Sequence, residues 1–141
     1  MTEAARTREH AGQAMIGIVD DDESVRLALA NWLRSIGIAS RTFGSGPDLL
    51  GSGLLPLFSC LIMDQRMRGM TGLETLRAVR QQGCEAPVIM ISAHNDIETR
   101  QRAAASGAFA FVDKPFADLS LMEVVLDALD PECHGRPRPA Q

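Results

Sequence analysis

The sequence predicts an α/β protein built on one doubly wound, five-stranded parallel sheet, a (βα)5 arrangement with helices on both faces. Three observations predict it. Apolar runs of strand length alternate five times with segments of helical periodicity. The runs are nearly continuous in apolar residues, as strands covered on both faces require, rather than alternating apolar with polar. Four of the five runs end in polar residues of chemical interest.

The first run is Met15 to Val19, stopped by Asp20, Asp21 and Asp22. Glu23 or Ser24 can open the helix that follows. Val25, Leu29, Trp32, Leu33 and Ile36 fall on one face of it, and Gly37 ends it. Ile38 to Phe43 is the second strand. Gly44 to Gly53 is rich in Gly and Ser, with room for a short helix around Pro47 to Leu50. Phe58 to Met63 is the third run, stopped by Asp64. Gly69 and Gly72 mark a loop, and Leu73, Leu76 and Val79 stripe a helix ending near Gly83. Pro87 to Ile91 is the fourth strand, ending at Ser92. Asp96 to Ser106 reads as a helix whose apolar face is mostly alanine. Such a face buries little area per turn, so this helix is expected to be held loosely. Ala108 to Val112 is the fifth strand, ending at Asp113 and Lys114. Leu119, Met122, Leu126 and Leu129 stripe the last helix.

With 141 residues the chain holds one domain around one core. Residues 1–14 read as a polar, disordered leader, 15–130 as the domain, and 131–141 as a flexible Pro-rich tail. The net charge of -4 and the absence of a basic run argue against a nucleic-acid-binding surface. No apolar stretch reaches the ~18 residues of a membrane span, and the leader lacks the apolar centre of a secretory signal. Cys60, Cys84 and Cys133 form no Cys-x-x-Cys pair, and read as free thiols of a reducing, cytoplasmic compartment.

In an open parallel sheet, ligands sit at the carboxyl ends of the strands, near the switch in strand order. Asp20, Asp21, Asp64, Ser92 and Lys114 all fall on that edge. Neighbouring carboxylates repel one another unless a cation neutralises them, and oxygen ligands suit Mg²⁺. A carboxylate can also accept a phosphoryl group as an acyl phosphate, with a metal and a fixed cation such as Lys114 meeting its charge. Ser92 can hydrogen-bond a phosphoryl oxygen. Each residue also has a plainer reading, as a solvated loop residue, a surface cation or a helix cap. For Asp22 the cap is the preferred reading. Joint placement on one edge is what argues for a site.

Across roughly Gly17 to Leu129 these stretches resemble the receiver domains of bacterial response regulators, of the chemotaxis and nitrogen-fixation-regulator kind. The matching segments are Ile18-Val19-Asp20-Asp21-Asp22, Asp64 with Met67-Arg68-Gly69-Met70-Thr71-Gly72, Val88 to Ala93, and Asp113-Lys114-Pro115-Phe116. The resemblance implies a flavodoxin-like fold with Asp64 as phosphoacceptor. It implies Asp20, Asp21, Asp64 and the backbone carbonyl of Arg66 as ligands of Mg²⁺, with Mn²⁺ as a substitute. Lys114, Ser92 and the Ala93 amide would bind the phosphoryl group. Ser92 and Phe111 would be the switch pair, and Pro115 resembles a cis-proline position. Arg66 and His94 occupy positions that tune the lifetime of the acyl phosphate. The family often has proline where this chain has Arg68. The implied donor is a phosphohistidine on a histidine kinase or phosphotransfer protein. The implied output is a contact, with a protein partner or a second copy, through the face of the fourth helix, fifth strand and fifth helix.

The chain would then be no enzyme beyond promoting its own phosphorylation and dephosphorylation. No output domain follows Leu129, so a stand-alone receiver is expected, with a domain cut from a longer, DNA-binding regulator as the alternative. A binding module that is never phosphorylated is a further rival. So is a haloacid-dehalogenase-like phosphatase, which Asp20-x-Asp22 also resembles, although the later Asp pair of that family is missing.

Overall fold

The structure, a computed structural model, describes residues 14–93, 97–114 and 118–130. The proposed leader up to residue 13, the tail from 131, Cys133, His94, Pro115 and Phe116 lie outside the described residues. Five strands, β1 (Met15–Val19), β2 (Ala39–Phe43), β3 (Cys60–Asp64), β4 (Val88–Ser92) and β5 (Ala110–Asp113), alternate with five helices. These are α1 (Glu23–Ser35), α2 (Gly46–Leu50), α3 (Gly72–Gln81), α4 (Ile97–Ala105) and α5 (Asp118–Leu129). A 3₁₀ turn, Leu55–Leu57, precedes β3. All neighbouring strands are parallel, in the order β2-β1-β3-β4-β5.

Side chains alternate across the central strands, which places a core on each face. On one face Ile16, Ile18, Ile62, Ile89 and Ile91 pack against Leu29 and Leu33 of α1 and Leu121 and Val125 of α5. On the other, Val19, Leu61, Met63, Val88 and Met90 pack against Leu49 of α2, Leu73, Leu76 and Val79 of α3, and Ala103 of α4. Ala103 is the one buried residue of α4, as its alanine face leads one to expect.

Several boundaries differ from the reading of apolar runs. Ile38, Phe58 and Ala108 are buried but not in strands. Their N–H groups donate to Leu33, Leu55 and Ala103, closing the preceding helical turns. An apolar residue that stops a helix looks, in sequence, like the start of a strand. Ala14, placed in the leader by composition, is 6 % exposed and belongs to the core. β2 is not the doubly covered strand expected: it is an edge, and Ala39, Arg41 and Thr42 are exposed.

Candidate functional site

The sheet order changes direction at β1, and β1 and β3 lie side by side with Val19 opposite Met63. Asp20 therefore leaves the sheet beside Asp64. Across β3, Asp64 stands opposite Ile91, and Ser92 stands opposite Asp113, so the last residues of β4 and β5 reach the same edge.

Asp20 is fully buried and held at every polar atom. Its N–H donates to the Phe43 carbonyl at 3.1 Å, and its carbonyl accepts from the Arg26 guanidinium at 2.6 Å. One carboxylate oxygen accepts from the Asp22 N–H at 2.9 Å and the other from Lys114 Nζ at 3.1 Å. Asp22 faces the helix instead. Its Oδ1 accepts from the Ser24 N–H and hydroxyl, capping α1, and those bonds hold its carboxyl below the usual range. The cap reading of Asp22 is correct. Asp21 is exposed, with its Oδ2 accepting from the Arg68 N–H at 3.2 Å.

Asp64 is 6 % exposed and lies 3.6 Å from Lys114 Nζ. Asp20, Asp21 and Asp64 each offer an oxygen within 4.8 Å of the others. Burial pushes the Asp64 carboxyl up to about 6; the charge of Asp20 pushes the same way, and Lys114 and the Arg66 N–H only partly oppose it. Lys114 is positioned by its own backbone, whose N–H donates to the Ser92 carbonyl at 2.7 Å. Ser92 is buried, and Ala93 follows it at an exposed position.

A cleft of about 510 Å³ opens at Asp21 and Ser92, lined also by Gln65, Arg66, Arg68, Thr71 and Thr99 among others. Phe111 is half-buried on β5, its ring centroid 5.0 Å from the Arg100 guanidinium carbon. The structure thus gathers Asp20, Asp21, Asp64, Lys114, Ser92 and Arg66 in one place.

Three supporting residues were not singled out by sequence. Gln65 accepts the Leu73 N–H at 2.8 Å through its side chain, tying the start of α3 to the end of β3. Arg26 holds the Asp20 carbonyl, and Thr99 lines the cleft. Adjacency to Asp64 could have flagged Gln65. Nothing local marks the other two, because their roles exist only once α1 and α4 are packed.

The donor set fits a divalent cation. Three ionised carboxylates facing one ammonium leave two negative charges to be met, and every ligand on offer is a hard oxygen. Among the described residues no helix is long and apolar enough to cross a membrane.

The family described as "Response regulator receiver domain" matches residues 16–126. The C4-dicarboxylate transport transcriptional regulatory protein DctR of Rhodobacter capsulatus is 41% identical over 116 residues, covering 81% of this chain and 59% of DctR. The chain thus spans little more than half the length of that relative. Among solved structures, the chemotaxis protein CheY4 of Vibrio cholerae superposes with a TM-score of 0.75 at 30% identity, covering 80% of this chain and 96% of CheY4. FixJ-N superposes with a TM-score of 0.76 at 32% identity, covering 84% and 94%. With that topology, and acidic residues gathered at the switch in strand order, the chain belongs to the response regulator receiver domain family of two-component signalling.

Proposed function

We propose that Asp64 accepts a phosphoryl group from a phosphohistidine, on a histidine kinase or a phosphotransfer protein, with Mg²⁺ held by Asp20, Asp21 and Asp64. The observation that carries this reading is the Asp64 carboxylate, set beside Lys114 and two further carboxylates. A carboxylate oxygen of Asp64 attacks phosphorus, the new O–P bond replaces the N–P bond, and the leaving imidazole takes up a proton. Mg²⁺ held there would supply neutralisation of the charge on the transferring group. The carbonyl of Arg66 would complete the ligand set, and Mn²⁺ fits the same oxygens. Lys114 keeps its ammonium where the phosphoryl oxygens arrive, and the Ser92 hydroxyl and Ala93 amide donate to them. Arg66 and His94 would occupy the sequence positions that tune the lifetime of the acyl phosphate. The chain acts on its own aspartate and turns over no other substrate.

Charge added at Asp64 would draw Ser92 inward, let Phe111 follow, and remodel the face of α4, β5 and α5 for a protein partner or a second copy, in the cytoplasm. A specific observation favours placing this switch inside a longer regulator over a stand-alone receiver: DctR is named a transcriptional regulatory protein, and the chain spans 59% of it.

The test is intact-mass measurement after incubation with a small phosphodonor and Mg²⁺. One added phosphoryl group is expected, and none in a folded Asp64→Asn variant. Label persisting in that variant moves the acceptor elsewhere.

A further inference from the structure

Helix α4 buries little apolar side chain against the sheet. Ala103 is its one buried residue, and Ile97, at its first position, is 68 % exposed. An arginine supplies what the apolar face lacks. One guanidinium nitrogen of Arg100 reaches both carboxylate oxygens of Asp113, at 3.0 and 3.1 Å. The same guanidinium lies over the Phe111 ring, 5.0 Å from its centroid. The Arg100 side chain is 19 % exposed, so both contacts are partly shielded from water.

The two residues it grips are well placed. Phe111 is the aromatic on β5, and Asp113 is the last residue of that strand, directly before Lys114 and opposite Ser92. We propose that Arg100 is a latch, a positioning residue that holds α4 against β5 by gripping Phe111 and, beside the site, Asp113.

The inference rests on the phosphoacceptor reading of Asp64. A ring drawn inward toward Ser92 leaves the guanidinium, and a cation over an aromatic face is favourable only while the two stay within ~6 Å. Any ligand that prefers the inward ring must break this contact, so the latch lowers its apparent affinity. The charge pair with Asp113 adds to the hold, because moving α4 separates its partners.

The experiment titrates the full chain with beryllofluoride, a phosphoryl mimic, in the presence of Mg²⁺. Ring-fluorinated phenylalanine reports on Phe111 by ¹⁹F NMR, its line assigned with Phe111→Leu. In Arg100→Ala the mimic is expected to bind roughly fivefold more tightly than in wild type, the lower end of typical coupling between sites. The Phe111 line is expected to shift before any ligand is added. Asp113→Asn, at a half-exposed position, should move both readouts the same way, and it carries the test if Arg100→Ala does not fold. A merely structural Arg100 would give unchanged or weaker binding of the mimic even though the line shifts from loss of the nearby charge, and such binding overturns the latch. A wild-type protein that does not bind the mimic overturns the acceptor reading, and the latch with it. Wild-type binding matched equally by both variants overturns the latch alone.

Discussion

Asp64 is held in a costly form. Two largely buried carboxylates, Asp64 and Asp20, share one ammonium, and the Asp64 carboxyl is pushed up to about 6 by burial and by its neighbour. In the unfolded chain an aspartate titrates near 4. Below that pH Asp64 is protonated in both states and contributes nothing to the pH dependence. Between about 4 and about 6 the unfolded chain loses its proton first, so stability falls as pH rises. Above about 6 the penalty is complete, worth up to roughly 3 kcal/mol by linkage. Asp64→Asn removes both the charge and the repulsion. Denaturant unfolding without metal should therefore show the variant more stable by about 1–3 kcal/mol near neutral pH, with the gain gone below about pH 4. A variant no more stable than wild type at neutral pH would mean that Lys114 already compensates the charge. Asp64 itself was legible because a lone carboxylate ended an apolar run. Arg100 was not. On a helix where Arg100, Gln101 and Arg102 stand in a row before three alanines it looks like any solvated cation, and its partners lie on β5.

At the level of elements, α3 shows how local sequence sets the site. Thr71 accepts the Glu74 N–H while the Glu74 side chain accepts the Thr71 N–H, a reciprocal cap that fixes where the helix begins. Gly72 follows because no Cβ fits there. One would lie 2.5 Å from the Asp64 carbonyl oxygen, 2.7 Å from Met90 Cε and 2.9 Å from the Gln65 Cα. Two of those are backbone atoms of the strand end that carries the site, and they cannot turn aside. Gly72→Ala must push α3 away from β3, and should cost about 2–3 kcal/mol by urea unfolding, while Asp64 is displaced from Lys114. An unchanged stability would show that the helix start yields freely. The alternation of strands and helices was plain in the sequence because buried parallel strands need unbroken apolar runs. Gly72 was legible only as a loop marker. The ends of β2, β3 and β5 were misplaced because Ile38, Phe58 and Ala108 are apolar for a different reason, as the residues that close helical turns against the core.

For the whole molecule, the sheet order decides how site and stability are linked. The carboxylates sit at the ends of β1 and β3, the two strands with neighbours on both sides of the switch, so repulsion among them acts on the centre of the sheet. A divalent cation at Asp20, Asp21 and Asp64 removes that repulsion only in the folded chain, because unfolding scatters the three residues. Its effect on stability grows as RT ln(1 + [L]/Kd), about 2.7 kcal/mol at a hundred times Kd. For a chain of this size, each kcal/mol moves the melting temperature by about 2–4 °C. Mg²⁺ at that excess should therefore raise Tm by several degrees near neutral pH, and a chelator should reverse the rise. The direction with pH follows from Asp64. Below about 6 a proton occupies the carboxyl, the cation must displace it, and the rise in Tm should shrink and then vanish toward pH 4. Asp21→Asn separates this from nonspecific salt effects, since Asp21 is exposed and its loss leaves the core intact. A Tm that rises equally in wild type and in that variant would place the cation away from the cluster. A rise that persists unchanged at low pH would show that Asp64 does not hold it.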